Sequence, residues 1–214
     1  NTVIITVGGT SLNMLMTVLL AYPLSRPPFA GKKLFFGLVL FTMFFSGGLI
    51  PMYLLLRMLR MTNTLWAMIF PGAVSVYNTI IMRSFFDVFS EEVIESARMD
   101  GAGEFQILIK IVLPLSMPVL MTVGLYFAVA HWNEFFRAVF FVPNARLHPL
   151  QPVLRSILLS ATELEIAEQV EETRVNTETL KAAAIVFSAI PIVCVYPFIQ
   201  RYFVKGVMLG AVKG

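Results

Sequence analysis

The sequence predicts an all-α membrane protein with five transmembrane helices in its 214 residues, and three observations carry that prediction. Hydrophobic residues make up 57% of the chain and charged residues 14%, whereas a soluble domain carries about 25% charged residues. Apolar stretches recur along the whole length, each near the roughly 20 residues that a helix needs to cross a bilayer core. Proline and glycine lie inside those stretches, which membrane helices tolerate where neighbours satisfy the freed backbone groups. The mean hydropathy of +0.79 agrees. Residues 1–214 read as one transmembrane domain.

The elements follow in order. Val3 to Leu24 forms a first span, ended by Ser25-Arg26-Pro27-Pro28. Leu34 to Leu56 forms a second, interrupted by Ser46-Gly47-Gly48 and Pro51. Thr64 to Met82 forms a third around Pro71-Gly72, and Ile107 to Ala130 a fourth with Pro114 and Pro118. Leu180 to Val204 forms a fifth with Pro191 and Pro197. Between the third and fourth lies an acidic segment, about 84–110. A long loop, about 142–179, precedes the fifth; Leu150 to Leu159 in it reads as a short amphipathic helix at the interface. Glu163 to Glu178 is acidic and reads as water-facing.

Short basic connections set the orientation. Arg26, Lys32 and Lys33 follow the first span, and Arg201, Lys205 and Lys213 lie at the far end. The positive-inside bias puts both in the cytoplasm, with the acidic segment on the same side and Asn1 outside. An outside N-terminus with no visible signal peptide implies an earlier span, so six spans or more are expected in the intact protein and the first is missing here. The formal net charge of +3 then needs no nucleic acid to explain it. Cys194 is the only cysteine and lies in an apolar run, which excludes a disulfide framework and reads as a buried inert thiol. Two histidines, His131 and His148, leave little room for a histidine-built metal centre.

The acidic segment has its own pattern. Ser90 is a good N-cap, with Glu91 and Glu92 in the first turn where the helix dipole favours them. The helix is expected to run to about Met99 and stop at Asp100-Gly101, with glycine able to take positive φ. A second piece, Glu104 to Lys110, leads into the fourth span. Val93, Ile94, Ala97 and Met99 give the first helix a side that can pack. On pattern alone, an ordinary loop with solvated carboxylates fits as well.

Glu95-Ser96-Ala97, then Gly101 after three residues, then Ile111-x-Leu113-Pro114 after nine, resembles the EAA signature of ABC importer permeases. Ser96 in place of the middle alanine is the one departure, a small-for-small change. The likeness extends along the chain. Ala21-Tyr22-Pro23-Leu24-Ser25-Arg26, Trp132-Asn133-Glu134-Phe135 and Tyr202-Phe203-Val204-Lys205-Gly206 resemble carbohydrate-uptake permeases. Phe45-Ser46-Gly47-Gly48-Leu49-Ile50-Pro51 resembles the branch that takes larger oligosaccharides, of the maltose-system type.

The resemblance implies a non-catalytic subunit of a bacterial inner-membrane importer. Its implied partners are a second homologous permease, two ATP-binding subunits that hold ATP and Mg, and an extracytoplasmic solute-binding protein. No cofactor is implied on this chain. Glu92, Glu95, Ser96, Ala97, Asp100, Gly101, Ile111, Leu113 and Pro114 are the implied coupling residues: helices seated in a cleft on each ATPase subunit act as levers when the ATPase dimer closes.

Other residues carry two readings each. Trp132, Asn133 and Glu134 suit a sugar, with an aromatic face for the ring and polar groups for hydroxyls, and equally suit a membrane-interface aromatic with polar neighbours. Asn78 in the third span either lines the path or makes an interhelical hydrogen bond. Arg137, Arg146 and Arg155 either attract an acidic oligosaccharide or contact water and headgroups. Gly101-Ala102-Gly103 lacks the strand before it and the Gly-Lys-Ser/Thr after it that a phosphate loop needs. A secondary transporter or channel is the alternative, but it predicts charges or ion ligands inside the spans, which are nearly free of them. An intramembrane enzyme would need a nucleophile or metal set that one cysteine does not supply.

Overall fold

The structure, a computed structural model, describes residues 1–27, 29–89, 91–168 and 171–210. In the last two helices side chains are described for 150–163, 178–195, 197 and 200. Every regular element among the described residues is helical. Helix α1, Thr2–Ser25, is apolar on all sides and holds Pro23 in its last turn. The connection that follows reaches Gly31, whose φ of 84° opens α2, Lys32–Phe44. Residues 45–48 then break the helix before α3, Leu49–Met58. The second expected span is therefore two helices: Ser46-Gly47-Gly48 has little helical propensity, and Gly48 sits at φ 84°. Pro51 falls in the first turn of α3, where its missing N–H has no partner to lose.

The third expected span is not a continuous helix. A single turn, α4 at Trp66–Ile69, runs into a 3₁₀ turn at Phe70–Gly72, and α5, Val76–Phe86, starts afresh. Pro71-Gly72 stops the first piece. Ser75 caps the second, its Oγ accepting from the Asn78 N–H at 3.4 Å. Helix α6, Glu91–Met99, and α7, Glu104–Ile107, follow. A π-helical stretch, Leu108–Val112, joins α7 to α8, Leu113–Leu115. Helix α9, Met117–Trp132, leaves this run at 84°. Pro114 and Pro118 each lack the N–H that would bond the carbonyl four residues back, so the expected fourth span bends at Ser116.

Helix α10 is Phe136–Phe141, α11 is Leu150–Glu168 and α12 is Glu171–Gly210, with Pro191 and Pro197 inside the last. The long loop expected at about 142–179 is thus largely helical, with helix extending past the expected Leu150 to Leu159 piece. Its acidity suggested a loop, but Ala161, Glu163, Leu164, Glu165, Ala167 and Glu168 are all strong helix formers with no breaker among them. Among the described residues, two helices are long and apolar enough to cross a membrane, or up to four if each bent pair counts as one span.

Packing divides the chain into two compact units. The first comprises Asn1–Gly9, Ile50–Pro71 and Ala128–Phe198; the second comprises Thr10–Leu49, Gly72–Phe127 and the described residues after 198. In the first, α10 lies on α4, burying Ala138 and Phe141 with Ala67 and Met68. In the second, one core joins Val18 and Tyr22 of α1 to Met82 and Phe86 of α5, Ile94 of α6 and Val123 of α9. Cys194 is exposed, against the buried thiol expected: among the described residues, none of the apolar window Glu178–Val195 of α12 is fully buried. Apolar residues mark a lipid or partner surface here, not an interior.

Candidate functional site

The Glu91–Pro114 segment is built around one turn. The Gly101 N–H donates to the Arg98 carbonyl at 2.9 Å and the Ala102 N–H to the Ala97 carbonyl at 3.0 Å. With Gly101 at φ 83° this is a Schellman motif, which satisfies the last carbonyls of α6 and reverses the chain into α7. The first turn of α6 holds Glu91 and Glu92 and the last holds Arg98, both matching the helix dipole. Ser90, the expected N-cap, lies outside the described residues.

Helical spacing then separates two faces. Ile94 is buried and Ala97 half-buried, three residues apart and both in the core of the second unit. Glu92, Glu95, Ser96 and Met99, at i, i+3, i+4 and i+7, are all exposed on the opposite face. Val93 and Met99, expected to pack, are 51% and 87% exposed. Met99 lies too far round the helix from Ile94, and projects beside Glu95 instead. Asp100 is exposed in the turn, while Ile111 and Leu113 pack partly against the core.

Glu104 holds the two pieces in register. Arg98 Nε donates to its Oε1 at 2.7 Å, and the Tyr22 hydroxyl of α1 donates to its Oε2 at 2.9 Å. Glu104 precedes the apolar stretch that starts at Ile107, and the Arg98 hydrogen bond holds its carboxyl below the usual carboxylate range. Sequence reasoning named neither Tyr22 nor Glu104 as part of this site. A tyrosine one turn before the end of an apolar helix was the available signal.

The other candidates are dispersed. Asn78 is buried in the first turn of α5, directly after the break, and not deep within a span. Trp132 Nε1 donates to the Ser188 carbonyl of α12 at 3.0 Å. Asn133 is exposed, its Nδ2 donating to the Val129 carbonyl and its Oδ1 accepting from Gln151. Glu134 is buried, and its carboxylate is engaged by Arg137: Oε2 accepts from Nη1 at 2.7 Å and Oε1 from the Arg137 backbone N–H at 3.0 Å. Arg137 Nη1 also donates to the Met68 carbonyl at 3.1 Å, so this pair ties α10 to α4. Arg155 lies over the Phe135 ring, 4.9 Å from its centroid. Among the described residues, no three His, Cys, Asp or Glu side chains gather as a metal site.

Glu134→Gln should therefore lower thermal stability, by about 1–3 kcal/mol, because it removes the charge opposite a partly buried guanidinium. A thermal unfolding curve in detergent checks it. An unchanged midpoint with a raised transport KM would mean that Glu134 serves substrate instead.

A protein-family model described as "Binding-protein-dependent transport system inner membrane component" matches residues 3–209. The chain belongs to that family. Among its relatives, the polygalacturonan/rhamnogalacturonan transport system permease protein YtcP of Bacillus subtilis (strain 168) is 40% identical over 214 residues, covering 99% of this chain and 75% of that one. Protein LplC of the same organism is 40% identical over 213 residues, covering 99% of this chain and 72% of that one. A solved structure described as a bacterial ABC transporter involved in the import of the acidic polysaccharide alginate superposes with a TM-score of 0.82 at 34% identity. That match covers 95% of this chain and 73% of the other. The first relative and the solved structure are described as transport proteins. The resemblance read from the sequence holds over the whole chain.

Proposed function

We propose that this inner membrane component is the permease subunit of an ABC importer that carries an acidic oligosaccharide from a solute-binding protein into the cytoplasm. The observation that carries the reading is the Glu95-to-Pro114 signature on a Schellman-closed helix pair in a chain matched to the family over residues 3–209. In this reading the segment is cytoplasmic and docks on an ATP-binding subunit. Glu95 makes charge-assisted hydrogen bonds there, Met99 fills an apolar recess, and Ile94 and Ala97 transmit the thrust to the helices behind them. The coupling residues are Glu92, Glu95, Ser96, Ala97, Asp100, Gly101, Ile111, Leu113 and Pro114.

The complex holds a second homologous permease and two ATP-binding subunits, and ATP and Mg bind on the latter. The chain crosses the bacterial inner membrane several times with its C-terminus in the cytoplasm. An acidic cargo is supported by what the pectic-polymer relative and the alginate transporter are said to import. Arg146 and Arg155 in the first unit suit a carboxylated sugar by charge.

The test is ATP hydrolysis by the reconstituted complex with its binding protein loaded with an oligogalacturonate or with a maltodextrin. Stimulation several-fold above basal by the first and not by the second is expected. Equal stimulation by a neutral oligosaccharide would remove the acidic cargo, and none by either would remove the sugar.

A further inference from the structure

We propose that the second unit carries a binding site for an anionic phospholipid, set beside the coupling segment and centred on Arg26. An open cleft of about 580 Å³ lies there, with Tyr22, Arg26, Arg98 and Glu104 among its polar lining and Leu19, Phe29 and Leu108 among its apolar lining. The charges sum to one excess positive. Arg98 and Glu104 pair at 2.7 Å, and among the described residues Arg26 makes no ion pair.

Arg26 is held in place without being satisfied. Its guanidinium stacks over the Tyr22 ring, 4.8 Å from the centroid, and the Tyr22 hydroxyl is itself fixed by Glu104. Its Nε and Nη2 are both shielded from solvent and have no hydrogen-bond partner among the described residues. A buried donor without an acceptor is costly, more so when charged. Two guanidinium N–H groups of this kind are the fork that binds a phosphate or carboxylate bidentately.

The rest of the cleft selects among anions. Leu19 lies two turns before Arg26 on α1, on the side of the membrane span, and Leu108 lies beyond Glu104 toward the next apolar run. Phe29 is 47% exposed on the open side. The site therefore runs from Arg26 back along apolar α1 past Leu19, a charged end joined to an apolar wall, as suits an amphiphile with a phosphate head and acyl chains. A soluble phosphate would leave those walls bare. The occupant touches Arg98 and Glu104, the pair that holds α6 against α7, so a bound lipid would stiffen the coupling lever. Only that last effect rests on the function proposed above; the binding itself does not.

The experiment is native mass spectrometry of the intact transport complex, taken from nanodiscs of phosphatidylglycerol and phosphatidylcholine and stripped with increasing detergent. One phosphatidylglycerol per copy of this chain should survive stripping that removes phosphatidylcholine. Arg26→Gln should reduce retention at least tenfold. Phe29→Asp, which adds a repelling charge to an exposed wall without emptying a core, should do the same if Arg26→Gln fails to assemble. Excess inorganic phosphate should not displace the lipid. No retained phosphatidylglycerol, undiminished retention in both variants, or release by phosphate alone would each overturn the proposal.

Discussion

Replacing Glu95 with alanine should lower substrate-stimulated ATP hydrolysis of the reconstituted complex roughly ten- to a hundredfold while leaving the chain folded and inserted. Glu95 is exposed and makes no hydrogen bond or ion pair among the described residues, its charge acting only through space on Arg98. Its removal therefore costs the fold little. A charge-assisted hydrogen bond lost at a docking surface is worth about 1.5–3 kcal/mol, which sets the range. Gly101 separates charge from shape. A Cβ there would meet nothing within 4 Å, yet φ is 83°. The penalty for a side chain is therefore purely conformational, about 1–2 kcal/mol for an ordinary residue. Gly101→Asn, which tolerates the left-handed region, should keep most of the stimulation, and Gly101→Val should lose it. Full stimulation in Glu95→Ala would show the segment to be a solvated loop and leave the transporter assignment resting on family membership.

The second large effect belongs to the first unit. At Gly9 of α1 a Cβ would sit 2.5 Å from His131 Nε2, 2.6 Å from Cε1 and 2.8 Å from Cδ2. His131 is 2% exposed, so its ring has no open side to retreat to. Small residues permit this kind of close helix approach in membrane proteins. Gly9→Ala should destabilise by about 1–3 kcal/mol and Gly9→Leu should prevent assembly. Gly9→Ala with His131→Ala should recover part of that loss, because the methyl group then fills vacated space. Thermal midpoints of the four proteins in detergent form the double-mutant cycle. Additive losses would mean that the two positions do not touch.

The Glu91–Pro114 segment was legible because its signals are local. Carboxylates at a helix N-terminus, an Asp-Gly stop and an isoleucine and alanine three residues apart each specify backbone within a turn or two, and the turn formed as read. Met99 was misassigned because apolarity was taken as burial, when its angular position puts it beside Glu95. The first and fifth spans formed as continuous helices, but the second, third and fourth were legible as composition and not as helices. Thr64 to Met82 is apolar enough, but Pro71-Gly72 and the Ser75 cap divide it. Residues 160–168 failed the other way: acidity marked them as loop, and helix propensity decided otherwise.

By itself, then, the sequence determined the all-helical class, the family through its spaced signature, and the shape of the turn at Gly101, all properties set by neighbours within a few residues or by overall composition. Tertiary structure alone decided which polar side chains meet. Glu104 reaches Tyr22 across 82 positions, Arg137 reaches the Met68 carbonyl across 69, and Trp132 reaches Ser188 across 56. No local rule encodes those pairings. They exist because a polar group shielded from water must find a partner wherever packing places one, and the cleft at Arg26 is one place where the described residues do not supply it.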